Sequence, residues 1–156
     1  VTQITLKYLF KTLDCHKKMR TSIFILLFFS VIIAQAQVTS EAEHKIIFQL
    51  TDGNPEIHTK FIRQIYNVIE AAPNSKIEVV TQGMGVDILT KENNSFVKDL
   101  ENLTNRGVNF VICENTLKQR NLKKEQFLTL AGFVPSAILE LVIKQEQGWI
   151  YIKAGG

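Results

Sequence analysis

Cysteine is nearly missing from this chain: 156 residues hold two, Cys15 and Cys113. That excludes a scaffold stapled by disulfides. Histidine is scarce too, and none of the three is spaced with cysteine or acid as metal ligands are, so no metal is expected. His44 and His58 read as isolated, solvated side chains, and no Ser/His/Asp triad can be nominated. Gly83-Met84-Gly85 lacks the third glycine of a dinucleotide fingerprint, and no phosphate-loop lysine occurs, so no cofactor is expected. The body of the chain also lacks an excess of positive charge. The formal +3 is concentrated in residues 1–36, where Lys7, Lys11, Lys17, Lys18 and Arg20 face only Asp14, which leaves the remainder at −1. Without a basic stripe, nucleic acid binding has nothing to rest on.

Long apolar runs are absent as well. The run from Ile23 to Ile33 covers eleven residues, whereas a membrane-spanning helix needs about 20. Behind Lys17, Lys18 and Arg20, and ahead of the small-x-small pattern Ala34-Gln35-Ala36, it reads as a signal peptide over about 19–36, cleaved before Gln37. The alternative is an uncleaved N-terminal anchor. Residues ahead of Met19 read as an over-extended start or a very long basic region and are set aside. The expectation is an exported, periplasmic protein with no stable membrane insertion after cleavage. Its organisation is a removed segment 1–36, a flexible lead-in 37–44 and one domain over 45–156. Cys113 is then the sole thiol of the mature chain.

What is present patterns cleanly. Lys45–Leu50, Lys76–Thr81 and Val108–Cys113 are apolar runs bounded by turn residues and predict buried strands; Gly132–Pro135 and Trp149–Lys153 predict two more. Asn54-Pro55-Glu56 is a helix start by capping, fixed φ and charge, and Ile57, Phe61, Ile65, Val68 and Ile69 give that helix its apolar side. Further helices are predicted over 94–106, closed by Gly107, over 115–120, stopped by Asn121, and over 137–147, capped by Ser136. Alternating strands and helices with short turns predict an α/β fold, a three-layer α/β/α sandwich with a mostly parallel five-stranded sheet. In the last helix Ile138, Leu139, Leu141, Val142 and Ile143 exceed one stripe, which predicts burial on two sides, by a central place in its layer or by a subunit interface.

Parallel sheets bind ligands beyond the carboxyl ends of their strands, and three loops leave those ends: 51–54, 82–85 and 113–116. Cys113 is the one nucleophile worth arguing over. At a strand end just ahead of a helix, backbone N–H groups favour the thiolate; as the last residue of an apolar run, it fits equally well as an inert packed cysteine. Glu114 beside it opposes ionisation if it points the same way. Gly83 and Gly85 read as turn residues or as a backbone lining for a ligand, Met84 as a turn residue or the lid of a small pocket, and Asp52 as a turn residue or an acid. Asn115 and Thr116 offer hydroxyl or N–H donors.

Three segments carry a resemblance: Val79-Val-Thr-Gln-Gly-Met-Gly-Val-Asp-Ile-Leu89, Cys113-Glu-Asn-Thr-Leu-Lys-Gln-Arg120, and the stretch from Val134 to Ile152. Together they resemble the DsrE/DsrF-like family of proteins linked to sulfur relay. The resemblance implies an α/β/α domain and assembly as an oligomer, expected here as a homo-oligomer (trimer or hexamer). It also implies a cysteine after the third strand that accepts sulfur as a persulfide and hands it to a partner thiol protein. Cys113 matches that place and Arg120 ends its Cys-x-x-x-x-x-x-Arg spacing; Asn121 stands where relay members often have glycine. The export signal departs from the family's cytoplasmic habit. Two functions remain in view. One is an exported, sulfurtransferase-like sulfur-handling protein whose Cys113 thiolate carries a persulfide or reacts with a small sulfur compound, its site lined by Gly83, Met84, Gly85, Asn115, Thr116 and Asp52. The other is a non-catalytic oligomeric module that binds a small molecule or a protein, with Cys113 structural.

Overall fold

The computed structural model describes residues 39–155; the expected processing segment and the cleavage before Gln37 lie outside the described residues. Five strands, β1 (Lys45–Leu50), β2 (Lys76–Thr81), β3 (Val108–Cys113), β4 (Ala131–Val134) and β5 (Ile150–Ala154), form one sheet in the order β4-β3-β2-β1-β5. Every pairing is parallel. Four helices pack on it: α1 (Pro55–Ala71), α2 (Val97–Asn105), α3 (Glu114–Arg120) and α4 (Ala137–Glu146).

The order dictates the layers. From β1 to β4 the chain steps always to the same side, and right-handed crossovers then put α1, α2 and α3 on one face. Reaching β5 reverses the direction of travel, so α4 falls on the other face. The core divides accordingly. The larger cluster joins Phe48, Leu50, Val79, Phe110 and Ile112 to Phe61, Ile65, Leu100, Leu103 and Leu117; the smaller joins Ile47, Val80, Val111 and Cys113 to Ala137 and Leu141. Each fully buried Ile, Leu or Phe contributes about 1.5–3 kcal/mol.

Local chemistry sets the ends of the helices. Asn54 Oδ1 accepts from Glu56 N–H (2.9 Å), and Pro55 opens α1. Asn121 closes α3 in the left-handed region (φ 53), and Leu122 N–H returns to Leu117 O (2.9 Å). Ser136 Oγ accepts from Leu139 N–H (3.4 Å) at the start of α4. Residues 39–44 lie against the end of α1, with Ser40 N–H donating to Ala71 O (2.7 Å) and Asn74 Nδ2 to Glu41 O (2.9 Å).

Three expectations change. α2 begins at Val97, not near Asn94, because Asn94 is bound into the preceding turn: its Nδ2 donates to Ile88 O and Thr90 O (2.7 Å each) and its Oδ1 accepts from Phe96 N–H. His58 is buried rather than solvated, with Nε2 paired to Asp52 O (2.7 Å) and its ring edge-on to Phe96. The stretch 83–89 is a 3₁₀ helix instead of a simple turn, and a second covers Lys124–Gln126. Within the single chain α4 buries one side only. Ala137 and Leu141 face the sheet, while Ile138 (58% exposed), Leu139, Val142 and Ile143 do not, so a central place in the layer does not account for its apolar width. Among the described residues no helix is long and apolar enough to cross a membrane.

Beneath α4 lies a polar cluster. Glu78 of β2 is buried; its Oε2 accepts from Lys144 Nζ (2.6 Å) and Asn109 Nδ2 (2.8 Å), while its Oε1 is buried with no donor. The Lys144 ammonium also lies 3.7 Å from Glu140 Oε1 and 4.5 Å from the centre of the Trp149 ring. Burial and the neighbouring Glu78 carboxylate push the Glu140 pKa up, against the pull of Lys144. A carboxyl whose folded pKa is raised stabilises the fold while protonated, and that contribution is lost as pH climbs through the folded value. Glu140→Gln mimics the protonated form. It is therefore expected to be more stable than the parent at about pH 7 and to lose that advantage by about pH 4, as urea denaturation at the two pH values will read.

Candidate functional site

With all strands parallel, the loops after β1, β2 and β3 gather on one edge of the sheet. Gln82 N–H donates to Leu50 O and Gly85 N–H to Thr51 O (3.0 Å each), laying the second loop on the first. The approach is so close that a Cβ on Gly85 would stand 2.3 Å from Leu50 O and 2.9 Å from Thr51 N, so no other residue fits. Gly83, in the left-handed region (φ 58), donates its N–H to Thr116 Oγ1 (3.0 Å) and so joins the second loop to the third.

Cys113 ends β3 in register with Val134, which ends β4. From these neighbouring ends the chain departs to opposite faces, into α3 beside the larger core and into α4 beside the smaller. Cys113 thus occupies the topological switch point, where open parallel sheets place their ligands. Its sulfur accepts from the N–H of Ala137, the first residue of α4 (3.3 Å). The residue is 4% exposed and packs among Ile47, Val80, Val111, Ala137 and Leu141.

Burial on its own pushes the thiol pKa up. Against it act the N–H of Ala137, the N–H and hydroxyl of Thr116 and the N–H of Asn115, and together they hold it below the ordinary cysteine range. Such a thiolate takes its solvation from oriented protein dipoles in place of water. The neighbouring acid does not oppose this. Glu114 pairs with Lys124, whose hydrogen bond and charge hold its carboxyl below the usual range, and Glu114 is not among the groups acting on the sulfur. The Lys124 ammonium in turn sits 4.6 Å from the centre of the Phe133 ring.

Of the residues singled out in the sequence, Asn115 and Thr116 help lower the Cys113 pKa, Gly83 is bonded to Thr116, and Gly85 sets the loop's approach to β1. Met84 stands on the same edge, 53% exposed, beside Gly53. Asp52 shares the edge but serves its own turn, with Oδ1 accepting from Asn54 N–H (2.7 Å). Two contacts escaped the sequence reading. Ala137 was placed correctly at a helix start, but only the pairing of β3 with β4 brings it to the sulfur. Asp87 and Arg120 form a two-point ion pair (2.8 and 3.3 Å) that also grips Gly83 O, and no local pattern links residues that far apart. Among the described residues no group of three or more His, Cys, Asp or Glu gathers to hold a metal.

The family model described as the DsrE/DsrF-like family matches residues 44–154. Among solved structures, a protein of unknown function from Methanobacterium thermoautotrophicum (MTH1491) is 27% identical, with a TM-score of 0.67 over 70% of this chain and 98% of its own. The ychN protein from E. coli is 14% identical, with a TM-score of 0.59 over the same shares, which supports the fold alone. No curated protein matches the chain.

The Gly85 contact yields a direct test. Gly85→Ala forces a methyl into the β1 backbone and is expected to cost about 1–3 kcal/mol. Gly132→Ala, whose Cβ would meet only Val111 Cγ1 at 3.5 Å, is expected to change stability far less; denaturant midpoints of the two variants provide the comparison.

Proposed function

The chain belongs to the DsrE/DsrF-like family, and from that premise we propose that it is an exported, periplasmic sulfur-handling protein whose Cys113 thiolate carries a persulfide. The observation that carries this reading is the placement of the sulfur at the switch point, with donors converging on it from α3 and α4 and no carboxylate among the groups that act on it. Family membership supports a link to sulfur relay; the convergence supports the choice of residue.

In the proposed step the Cys113 thiolate attacks the outer sulfur of a persulfide or polysulfide. A new S–S bond forms to Cys113, the donor's S–S bond breaks, and the donor leaves as its thiolate. Return of the sulfur to a partner protein is the same exchange run with the partner's thiolate as the attacking group. Ala137, Asn115 and Thr116 stabilise the anion on either side of the exchange, and Gly83 to Gly85, with Met84, border the approach. Mass spectrometry after incubation with polysulfide tests the reading. The full chain is expected to gain one sulfur atom on Cys113 and Cys113→Ser to gain none at that position; an unchanged parent mass ends the proposal.

One observation favours a second reading. Cys113 lies among apolar side chains and is 4% exposed, as a packed cysteine in a non-catalytic binding module would be. In that reading Cys113 labels only when the chain unfolds, whereas the carrier reading expects labelling of the native protein that rises with pH, with a midpoint below that of a free cysteine.

The same proposal includes a homo-oligomer, trimer or hexamer. Its support is the unpartnered apolar outer side of α4, Ile138, Leu139, Val142 and Ile143, together with Ile150, Tyr151 and Ile152 on edge strand β5. Patches of this kind mark association surfaces. Light scattering is expected to give an oligomer for the full chain and a folded monomer for the double variant Ile138→Glu, Val142→Glu; a monomeric parent rejects the assembly.

A further inference from the structure

Arg120 entered the sequence reading only as the end of a spacing, yet the structure gives it a definite task. Thr116 and Arg120 stand one turn apart on α3 and therefore share a face, and both reach the 3₁₀ helix Gly83–Leu89. Arg120 Nη1 donates to Gly83 O (2.9 Å) and to Asp87 Oδ1 (2.8 Å), and Nη2 donates to Asp87 Oδ2 (3.3 Å). The guanidinium thereby spans the first turn of that helix, from its opening carbonyl to a carboxylate four residues on. Side chains of both partners are about two-thirds to three-quarters shielded from solvent, so the pair is stiffer than a surface contact.

What the grip fixes is the direction of one N–H. Gly83 sits at φ 58, one of several conformations that glycine adopts without strain, so its contacts select it, and its N–H donates to Thr116 Oγ1. A hydroxyl that accepts at its oxygen in this way has its own single hydrogen left to give. On the far side of that hydroxyl is the Cys113 sulfur, on which Thr116 acts through both hydroxyl and N–H. The chain of bonds runs from the guanidinium to the Gly83 carbonyl and from the Gly83 N–H to the Thr116 hydroxyl, which in turn helps hold the Cys113 thiol pKa down. Hydrogen bonds in series strengthen one another.

We propose that Arg120 is a positioning residue for Cys113: with Asp87 it locks Gly83, and Gly83 in turn commits the Thr116 hydroxyl to the sulfur. The inference rests on the reading of Cys113 as a working thiolate. It assigns a role in that reading to a residue that never touches the sulfur.

The test measures how alkylation of Cys113 by iodoacetamide depends on pH, in the full chain carrying Cys15→Ser so that one thiol is read. Thr116→Val is expected to raise the midpoint by about one pH unit, as the loss of a hydrogen bond to an ion does. Arg120→Ala is expected to raise it by about half a unit in the parent and by nothing further in the Thr116→Val background. A midpoint that Arg120→Ala leaves in place overturns the inference. So does an equal shift in both backgrounds, because the arginine would then be acting through its charge.

Asp87→Asn covers the case in which Arg120→Ala does not fold, and it separates the two causes by sign. Removing a negative charge lowers a nearby thiol midpoint, whereas loosening Gly83 raises it. An upward shift supports the positioning role, and a null or downward shift overturns it. None of these readings needs sulfur transfer. Should the midpoints move as stated while the chain takes up no sulfur, the carrier function fails and the positioning role stands; should sulfur load while the midpoints stay fixed, the reverse holds.

Discussion

A right-handed crossover ties the direction in which a parallel sheet grows to the face on which its helix lands. Once β1 to β4 have been laid down toward one side, the only way back to the free edge of β1 is over the opposite face, and α4 takes that way. The two neighbouring strand ends from which the chain parts, Cys113 and Val134, are left flanked by the first residues of two helices. A sulfur at that parting accepts from the first N–H of α4, and the start of α3 adds to holding its pKa down. The chemistry argued for Cys113 thus follows from chain handedness before any side chain is chosen.

The face that α4 covers is unusual in what it buries. Opposite it the sheet packs on three helices with a broad apolar core. Under α4 the apolar contact shrinks to Ile47, Val80, Val111, Ala137 and Leu141 around the sulfur, and polar groups fill the remainder: Glu78 with Lys144 and Asn109, and Gln49 with Tyr151. Breaking a buried pair such as Glu78–Lys144 from one side leaves a charge without compensation, typically at a cost of about 3–5 kcal/mol. α4 is therefore held by polar bonds near both of its ends, with the sulfur at the first and the carboxylate at the last.

Much of the architecture was legible in the sequence. The apolar runs ending at Leu50, Thr81 and Cys113 named the inner strands; Asn54-Pro55, Ser136 and Asn121 named helix ends, because each signal is local and physical. Strand order was not legible, since no short pattern records which strand lies beside which, and with it went the contact between Cys113 and Ala137. Asn94 misled because a side chain fit to cap a helix was bound instead into the turn ahead of it. His58 misled because the carbonyl that satisfies it, Asp52 O, and the ring beside it, Phe96, come together only in the folded chain. Within the site, Cys113, Thr116, Gly83 and, as the end of a spacing, Arg120 could be named in advance; Asp87 and its pairing with Arg120 could not, because that pairing joins two segments that are adjacent only at the sheet edge.

The near-complete cover over Cys113 sets the tempo of anything that happens there. With the residue only 4% exposed, a reagent would reach the proposed carrier sulfur only through a local opening, so exchange there would be metered by local breathing rather than by collision frequency. Small local openings of this sort range from nearly free to as costly as global unfolding. A bulky reactant and a slim one would then differ in rate according to how wide a breach each requires, and size selection would arise from kinetics alone.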